Sequence, residues 1–325
     1  MKIAVVILNW NGKELLEKFL PSVVAYSKEA TIYVADNAST DHSVAFLKAN
    51  YPEIKLIQNT ENGGYAKGYN DTLQHVEEDV YCLLNSDIEV TKHWLTPIIE
   101  TFNKETDTAI IQPKILDYKD KTKFEYAGAA GGFIDKYGYP YCRGRIFNTI
   151  ETDTNQYQNT TIFWASGACF FIRKKAFRTL NGFDESFFAH MEEIDLCWRA
   201  FNLNFTTKYI GESTVYHVGG ATLNASNPKK TYLNFRNSLF TLTKNASGNL
   251  FILMFIRLIL DGIAGIKFLF SLKTSHTLAI IKAHFSFYAH LPKLLNKRKL
   301  ISQKSGYNKT NSIVFNYYLL KKKTI

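Results

Sequence analysis

The stretch Val80-Tyr81-Cys82-Leu83-Leu84-Asn85-Ser86-Asp87 decides how this chain is read. Five apolar residues run without a polar interruption and then stop at three oxygen-bearing side chains. A continuous apolar run of that length, bounded by turn residues, is the pattern of a strand buried on both faces. The same grammar recurs upstream. Ile3–Leu8 ends at Asn9-Trp10-Asn11-Gly12, Thr31–Ala35 ends at Asp36-Asn37-Ala38-Ser39-Thr40-Asp41, and Lys55–Gln58 is a fourth strand. Helical spacing fills the gaps over Lys13–Tyr26, Ser43–Asn50 and Ala66–His75. Short strands alternating with helices predict an α/β fold, Rossmann-like, with a mostly parallel sheet and helices on both faces. Open sheets of this kind bind ligands at the carboxyl ends of their strands, where these polar clusters fall.

Downstream the pattern loosens. Residues 105–165 are rich in Gly, Tyr and Asp and predict irregular strands and loops. Ile162–Ile172 reads as a strand, Lys174–Leu180 and Glu192–Asn202 as helices, and Thr206–His217 as a last strand. No internal repeat is present. The first apolar run is too short, and too abruptly polar afterwards, for a signal peptide, so the front of the chain is expected in the cytoplasm. Cys82, Cys142, Cys169 and Cys197 show neither CxxC nor paired spacing, so reduced thiols are expected rather than zinc or disulfides.

The chain has 325 residues, with 39 Lys and Arg against 29 Asp and Glu, a net charge of +10. That excess is not evenly spread. Residues 1–226 hold 22 basic and 28 acidic side chains, a net −6, whereas residues 227–325 hold 17 basic side chains and one acid, Asp261. An acidic front without a recognition motif argues against a nucleic-acid binder. In the back third, Leu250–Phe270 is about long enough to span a bilayer, but Arg257, Asp261 and Lys267 interrupt it, and Arg257 and Asp261 can pair on one helical face. Leu278–Leu295 interleaves apolar residues with His, Lys and aromatics, and the clusters Lys297-Arg298-Lys299 and Lys321-Lys322-Lys323 follow. This composition suits helices lying in an anionic membrane interface; the alternative is two helices packed on the main domain with a solvated basic face. The expected division is residues 1–240 and a helical, membrane-associated extension over residues 241–325.

Each polar cluster has a chemical use and a plainer one. Asp36 can accept the imide N–H of a pyrimidine, or the Asp-Asn-x-Ser-x-Asp run can cap a helix. Asn62-Gly63-Gly64-Tyr65-Ala66-Lys67-Gly68-Tyr69-Asn70 brings backbone near a ligand, yet it is neither GxGxxG nor a P-loop. Asn85 and Asp87, two residues apart, can share one hard cation, or mark a turn.

Taken in order, Asn9–Gly12, Asp36–Asp41, Asn62–Asn70 and Asn85–Asp87 resemble the nucleotide-sugar half of family 2 glycosyltransferases, which have the GT-A fold. The resemblance extends through Trp164-Ala165-Ser166-Gly167-Ala168, Gly182–Phe188, Glu192-Glu193-Ile194-Asp195-Leu196-Cys197-Trp198-Arg199 and Tyr216-His217-Val218-Gly219-Gly220. It covers about residues 3–240 and is similar in flavour to the rhamnosyl- and galactofuranosyltransferase-like branch. Two departures stand out: Asn85-Ser86-Asp87 replaces Asp-x-Asp, and Glu192-Glu193 replaces Glu-Asp. The resemblance implies an inverting transfer from a UDP- or dTDP-sugar to a glycan or lipid-linked acceptor in cell-surface polysaccharide synthesis. It implies Glu193 as base, and Asn85, Asp87 and His217 around a divalent cation, Mg²⁺ or Mn²⁺. Asn9, Asn11, Asp36, Ser39, Gly64, Gly68, Asn70 and Ser86 would form the nucleotide side. Trp164, Gly167, Glu192 and Asp195 would form the acceptor side. Arg236-Asn237 also resembles a family element, without an assigned role. The expected setting is peripheral, on the cytoplasmic face of the inner membrane, with self-association as a homo-oligomer left open. The alternative is a non-catalytic nucleotide-sugar-binding or scaffolding protein at the membrane.

Overall fold

A computed structural model describes residues 1–219 and 227–324. Gly220 of the His-x-Gly-Gly segment lies outside the described residues. The first half runs β1 (Ile3–Asn9), α1 (Lys13–Tyr26), β2 (Ala30–Asp36), α2 (Ser43–Asn50), β3 (Lys55–Gln58), α3 (Gly64–Leu73), β4 (Val80–Asn85), β5 (Ile88–Val90), α4 (Thr96–Lys104) and β6 (Thr108–Asp117). Four short strands follow: β7 (Gly132–Ile134), β8 (Pro140–Cys142), β9 (Arg145–Ile146) and β10 (Thr149–Ile150). Then come β11 (Thr160–Ile162), β12 (Cys169–Arg173), α5 (Lys174–Thr179), α6 (Glu192–Asn202) and β13 (Thr206–His217). The chain closes with α7 (Pro228–Asn245), α8 (Leu250–Phe270), α9 (Thr274–Lys299) and α10 (Ile313–Tyr318).

The main sheet has the order β11-β13-β6-β12-β4-β1-β2-β3, with β5 beside β13. Alternation along β1 explains its layering. Ile3, Val5 and Ile7 face a core shared with α1, α2 and α4, while Ala4 and Val6 face one shared with α3, α5 and α6. Both faces of the strand are therefore buried, which is why it lacks the polar alternation of a solvated strand. The β3-β2-β1-β4 half is parallel as expected. The other half is mixed: β12 runs antiparallel to β4 and β6, while β13 is parallel to β6.

Two expectations need correcting. The ten-residue β6 lies in the region expected to be irregular. Gln112 and Lys114 break its apolar pattern, yet both are buried because tertiary partners satisfy them. Gln112 donates to Gly128 O and accepts from Ser166 N, and Lys114 binds Asp153 and Asn155. Conversely, the expected Ile162–Ile172 strand is split. Trp164 leaves the main sheet to exchange backbone hydrogen bonds with Gly132, and residues 163–168 become a loop.

The last helices pack on the front of the chain. Position 240/241 falls inside α7. Arg257 and Asp261 pair at 2.8 Å, and both are fully buried. Arg257 also donates to Tyr137 O and Ser238 Oγ and lies 3.9 Å over the Tyr139 ring, whose hydroxyl donates to Asp261. A buried pair so completely hydrogen-bonded offsets its desolvation and pins α8 to the β7–β8 turn. Among the described residues, no helix is long and apolar enough to cross a membrane.

Candidate active site

The parallel register assembles the residues expected on the nucleotide side. Asn9 is opposite Asp36, and Leu8 is opposite Asn85, so three strand ends present their polar residues together. Asn9 Nδ2 donates to Asp36 Oδ1 at 3.1 Å and to Ser39 Oγ at 3.2 Å. Ser39 N donates to Asp36 Oδ2, and Asn11 N to Ser39 Oγ. Asn11 Oδ1 in turn accepts from Thr40 N at 2.7 Å. Each Asp36 oxygen thus has one protein partner and one lone pair left. The capping reading also applies, to Asp41: its carboxylate accepts Ser43 N and Lys13 N at the starts of α2 and α1. Gly12 is required here, because a Cβ would lie 2.5 Å from Asn9 Oδ1 with Ser86 Oγ close behind.

The β5–β13 pairing builds the next cluster. It sets His217 opposite Ile88, which brings Asp87 beside the imidazole. His217 Nε2 lies 3.2 Å from Asp87 Oδ1, and Nδ1 lies 3.4 Å from Glu125 Oε1. All three side chains are buried. Burial pulls the His217 pKa down, but Glu125 and Asp87 outweigh it and lift it to about 10. Glu125 carries no local sequence signal; the chain returns it to β13 from an irregular segment. Among the described residues, no three His, Cys, Asp or Glu side chains form a complete metal-binding group. Asp87 at its strand end fits a cation shared with a diphosphate; His217, with both ring nitrogens facing carboxylates, would have to release a proton to ligate it.

The acidic pair opens α6. Glu192 is buried and Glu193 half-buried, and an Oε2 atom of each is enclosed without a hydrogen-bond partner. Burial raises both carboxyls. Glu192 goes well above the usual range, with the Glu193 charge adding to the effect; Glu193 reaches about 7, held back by backbone N–H groups at the helix start. Gly167 faces this pair, since a Cβ there would lie 3.7 Å from Glu193 Cδ. Its carbonyl accepts the Tyr65 hydroxyl at 2.8 Å. The next residue, Ala168, accepts Asn85 N at 2.9 Å. Glu193 is thus linked to the Asn85-Ser86-Asp87 turn through two adjacent residues.

The segment before α6 is strained. Phe188, His190 and Met191 all have positive φ, at 63°, 68° and 72°, a conformation that non-glycine residues hold only when the surroundings impose it. Asn237, fully buried on α7, imposes it: its Nδ2 donates to Phe187 O, Ala189 O and His190 O at 3.1, 2.9 and 2.7 Å. Arg236 donates to Asn237 Oδ1 and to Ser186 O and Phe187 O. The Arg236-Asn237 pair, without a role from sequence, is a clamp on the loop that aims Glu193. Asn237→Ala should cost about 1–3 kcal/mol of stability by orphaning buried carbonyls. It should also lower kcat more than it raises the donor KM, and shift the acidic limb of the pH–kcat profile. The profile is the decisive readout, because destabilisation alone does not move it.

Five further expected site residues make contacts within the chain. Trp164 is buried with its Nε1–H donating to Phe133 O, so its ring offers no open platform. Asp195 is fully buried among Arg199, Lys244 and Asn245; burial would raise its pKa, but Lys244 and Arg199 hold it below the usual range. Asn70 exchanges two hydrogen bonds with the Phe183 backbone and reaches Glu185, which fastens α3 to the acidic loop. Gly68 packs on Asn37 and Leu8 beneath the strand ends. Gly64, at φ 75°, lets the chain pass against the Phe188 carbonyl, which accepts Tyr65 N at 2.9 Å. It joins the Asn62–Asn70 segment to the strained loop before α6.

This arrangement, a parallel half-sheet with polar strand ends joined to a mixed half bearing an acidic helix start, is the GT-A fold. Among solved structures, the chain is similar to the mannosyltransferase PcManGT from Pyrobaculum calidifontis in complex with GDP-Man and Mn²⁺. The TM-score is 0.55 at 10% identity, over 88% of this chain and 87% of that one. The model of glycosyl transferase family 2 matches residues 4–180, and the chain belongs to that family. Its relatives include the N-acetylglucosaminyl-diphospho-decaprenol L-rhamnosyltransferase of Mycobacterium tuberculosis (strain CDC 1551 / Oshkosh), 24% identical over 66% of this chain and 75% of that protein. Another is the low-salt glycan biosynthesis hexosyltransferase Agl10 of Haloferax volcanii, 24% identical over 72% of this chain and 73% of that protein. The chain is a glycosyltransferase with a role in glycan synthesis, and is similar to rhamnosyl- and hexosyltransferases.

Proposed function

We propose that this enzyme inverts the anomeric centre while moving a sugar from a UDP- or dTDP-sugar to a glycan or lipid-linked acceptor at the cytoplasmic face of the cell membrane. The observation that carries the reading is the enclosed Oε2 of Glu193, without a hydrogen-bond partner, on a carboxyl that faces Gly167, whose neighbour Ala168 accepts Asn85 N. Inverting displacement needs a base for the acceptor hydroxyl on one side of the sugar and stabilisation of the departing diphosphate on the other. Glu193 takes the proton. Burial gives it the affinity for that proton. Asp36, Ser39, Asn9 and Asn11 offer acceptors and donors to the nucleoside, with Ser86 beside them. Asp87 and His217, with Asn85, would hold Mg²⁺ or Mn²⁺, which when bound neutralises charge on the leaving phosphates.

The test is turnover of a UDP- and dTDP-sugar panel, with Mn²⁺, with Mg²⁺ and with chelator, followed by product stereochemistry. Metal-dependent release of nucleoside diphosphate with inversion is expected. Donor binding without turnover, or turnover with retention, overturns the assignment. The pH dependence carries a sign. Glu193 accepts a proton only when ionised, so kcat should fall about tenfold per unit below pH 7 and level off above it.

A further inference from the structure

Transfer chemistry does not account for the outward face of the C-terminal helices. The buried stripe of α8 is Leu253, Met254, Arg257, Asp261 and Gly265, so its paired charges point inward. Its outward stripe is Phe251, Phe255, Ile259, Ile263, Ile266 and Phe270, exposed from 49% at Ile259 to 84% at Phe270. The helix is inside out for a water-facing element. Arg257 and Asp261, which interrupt the apolar run in sequence, do not interrupt this face. The turn after α8 adds Leu272, 89% exposed, and α9 adds Leu278, Ile281 and Phe285. Soluble monomers rarely leave so continuous an apolar patch uncovered.

Charge selects the occupant. Lys267, Lys273, Lys282, Lys293 and Lys299 are exposed on the same two helices and their turn. The one acid of residues 227–325, Asp261, has no exposure. A second copy meeting this face would bring two strongly basic regions together, whereas anionic headgroups complement both the lysines and the apolar stripe. We propose that the outward face of α8 and α9 docks on an anionic bilayer, with the helices lying in the interface and the apolar stripe entering the acyl boundary. The inference rests on the membrane placement proposed above and names the surface responsible. It also gives that surface a link to the site. Lys297 of α9 binds Asp184 at 2.6 Å, and Lys244 of α7 binds the same carboxylate. The docking helices are therefore braced to the loop that leads to Glu193.

The full chain should float with vesicles of equal parts phosphatidylcholine and phosphatidylglycerol, and at least about tenfold less with phosphatidylcholine alone. Phe255→Glu with Ile263→Glu should cut flotation by about tenfold or more, with melting temperature and vesicle-free donor turnover unchanged. Lys273→Glu with Lys282→Glu should weaken binding to the anionic vesicles only. Absence of flotation from both vesicle types overturns the proposal. So does a concentration-dependent dimer that Phe255→Glu dissolves, which would make this face an interface between copies. Donor turnover measured without vesicles tests the transfer reading separately, so either idea can fail alone.

Discussion

Glu193→Gln should lower kcat by about 10²–10⁴-fold while the protein stays folded and still binds nucleoside diphosphate. The amide keeps the shape of the carboxyl and cannot accept the acceptor's proton. Stability should hold or rise, because burial already disfavours the ionised carboxylate and a neutral amide removes that penalty. The neighbouring substitution is the control. Glu192 is more deeply buried, and burial together with the neighbouring Glu193 charge raises its carboxyl well above the usual range. Gln keeps the shape of the carboxyl without its charge, and Glu192→Gln should retain most activity. Initial rates, thermal melts and calorimetric UDP binding on the two variants separate the roles. Full activity in Glu193→Gln, or equal losses in both, would remove Glu193 as the base.

Asp87→Ala should reduce kcat/KM by about a thousandfold and abolish the response of the rate to added Mn²⁺. Charge stabilisation at a departing phosphate is worth several kcal/mol, and each 1.4 kcal/mol is about a factor of ten. The dependence should be severe because Asn85 supplies no charge at the other end of the turn, leaving Asp87 as the one anion in Asn85-Ser86-Asp87. Metal titration of the rate, and Mn²⁺ binding measured with and without UDP, check this. If Asp87→Ala binds Mn²⁺ and turns over as the parent does, the cation is held elsewhere or is not needed.

Why some of this was legible and some was not follows from particular residues. The parallel half could be read because β1 and β4 are buried on both faces, and so appear as apolar runs with polar stops, whereas the edge strand β3 is only partly covered. Lys55–Gln58, Lys13–Tyr26 and Glu192–Asn202 coincide with their elements. β6 was hidden because Gln112 and Lys114 are buried by partners 16 to 54 residues away, which no local pattern announces. The site residues divided the same way. Asn9, Asp36 and Asn85 meet because register aligns the ends of adjacent strands. Glu125 reaches His217 only through the tertiary path of an irregular segment, and the Asn237 clamp acts across 47 to 50 residues. Trp164 and Asp195 carry the right chemistry for an acceptor site, but packing turns Trp164 into the core and the lysine and arginine beside Asp195 enclose it.

Sequence alone therefore determined the α/β class, the polar strand ends, the acidic pair at a helix start and the basic back third. These are local signals: runs, spacings and charge counts. Tertiary structure alone decided which of those groups are free. Asn70 and Asp195 are tied up in hydrogen bonds and ion pairs, whereas Glu193 keeps an unpartnered oxygen. It also decided which way α8 turns. A sequence shows three charges within an apolar helix, but only packing against Tyr139 and Ser238 sends the Arg257–Asp261 pair inward and leaves an apolar face outside with Lys267 as its one charge. Whether a polar group is a site or a strut depends on its partners, and partners are supplied by the fold.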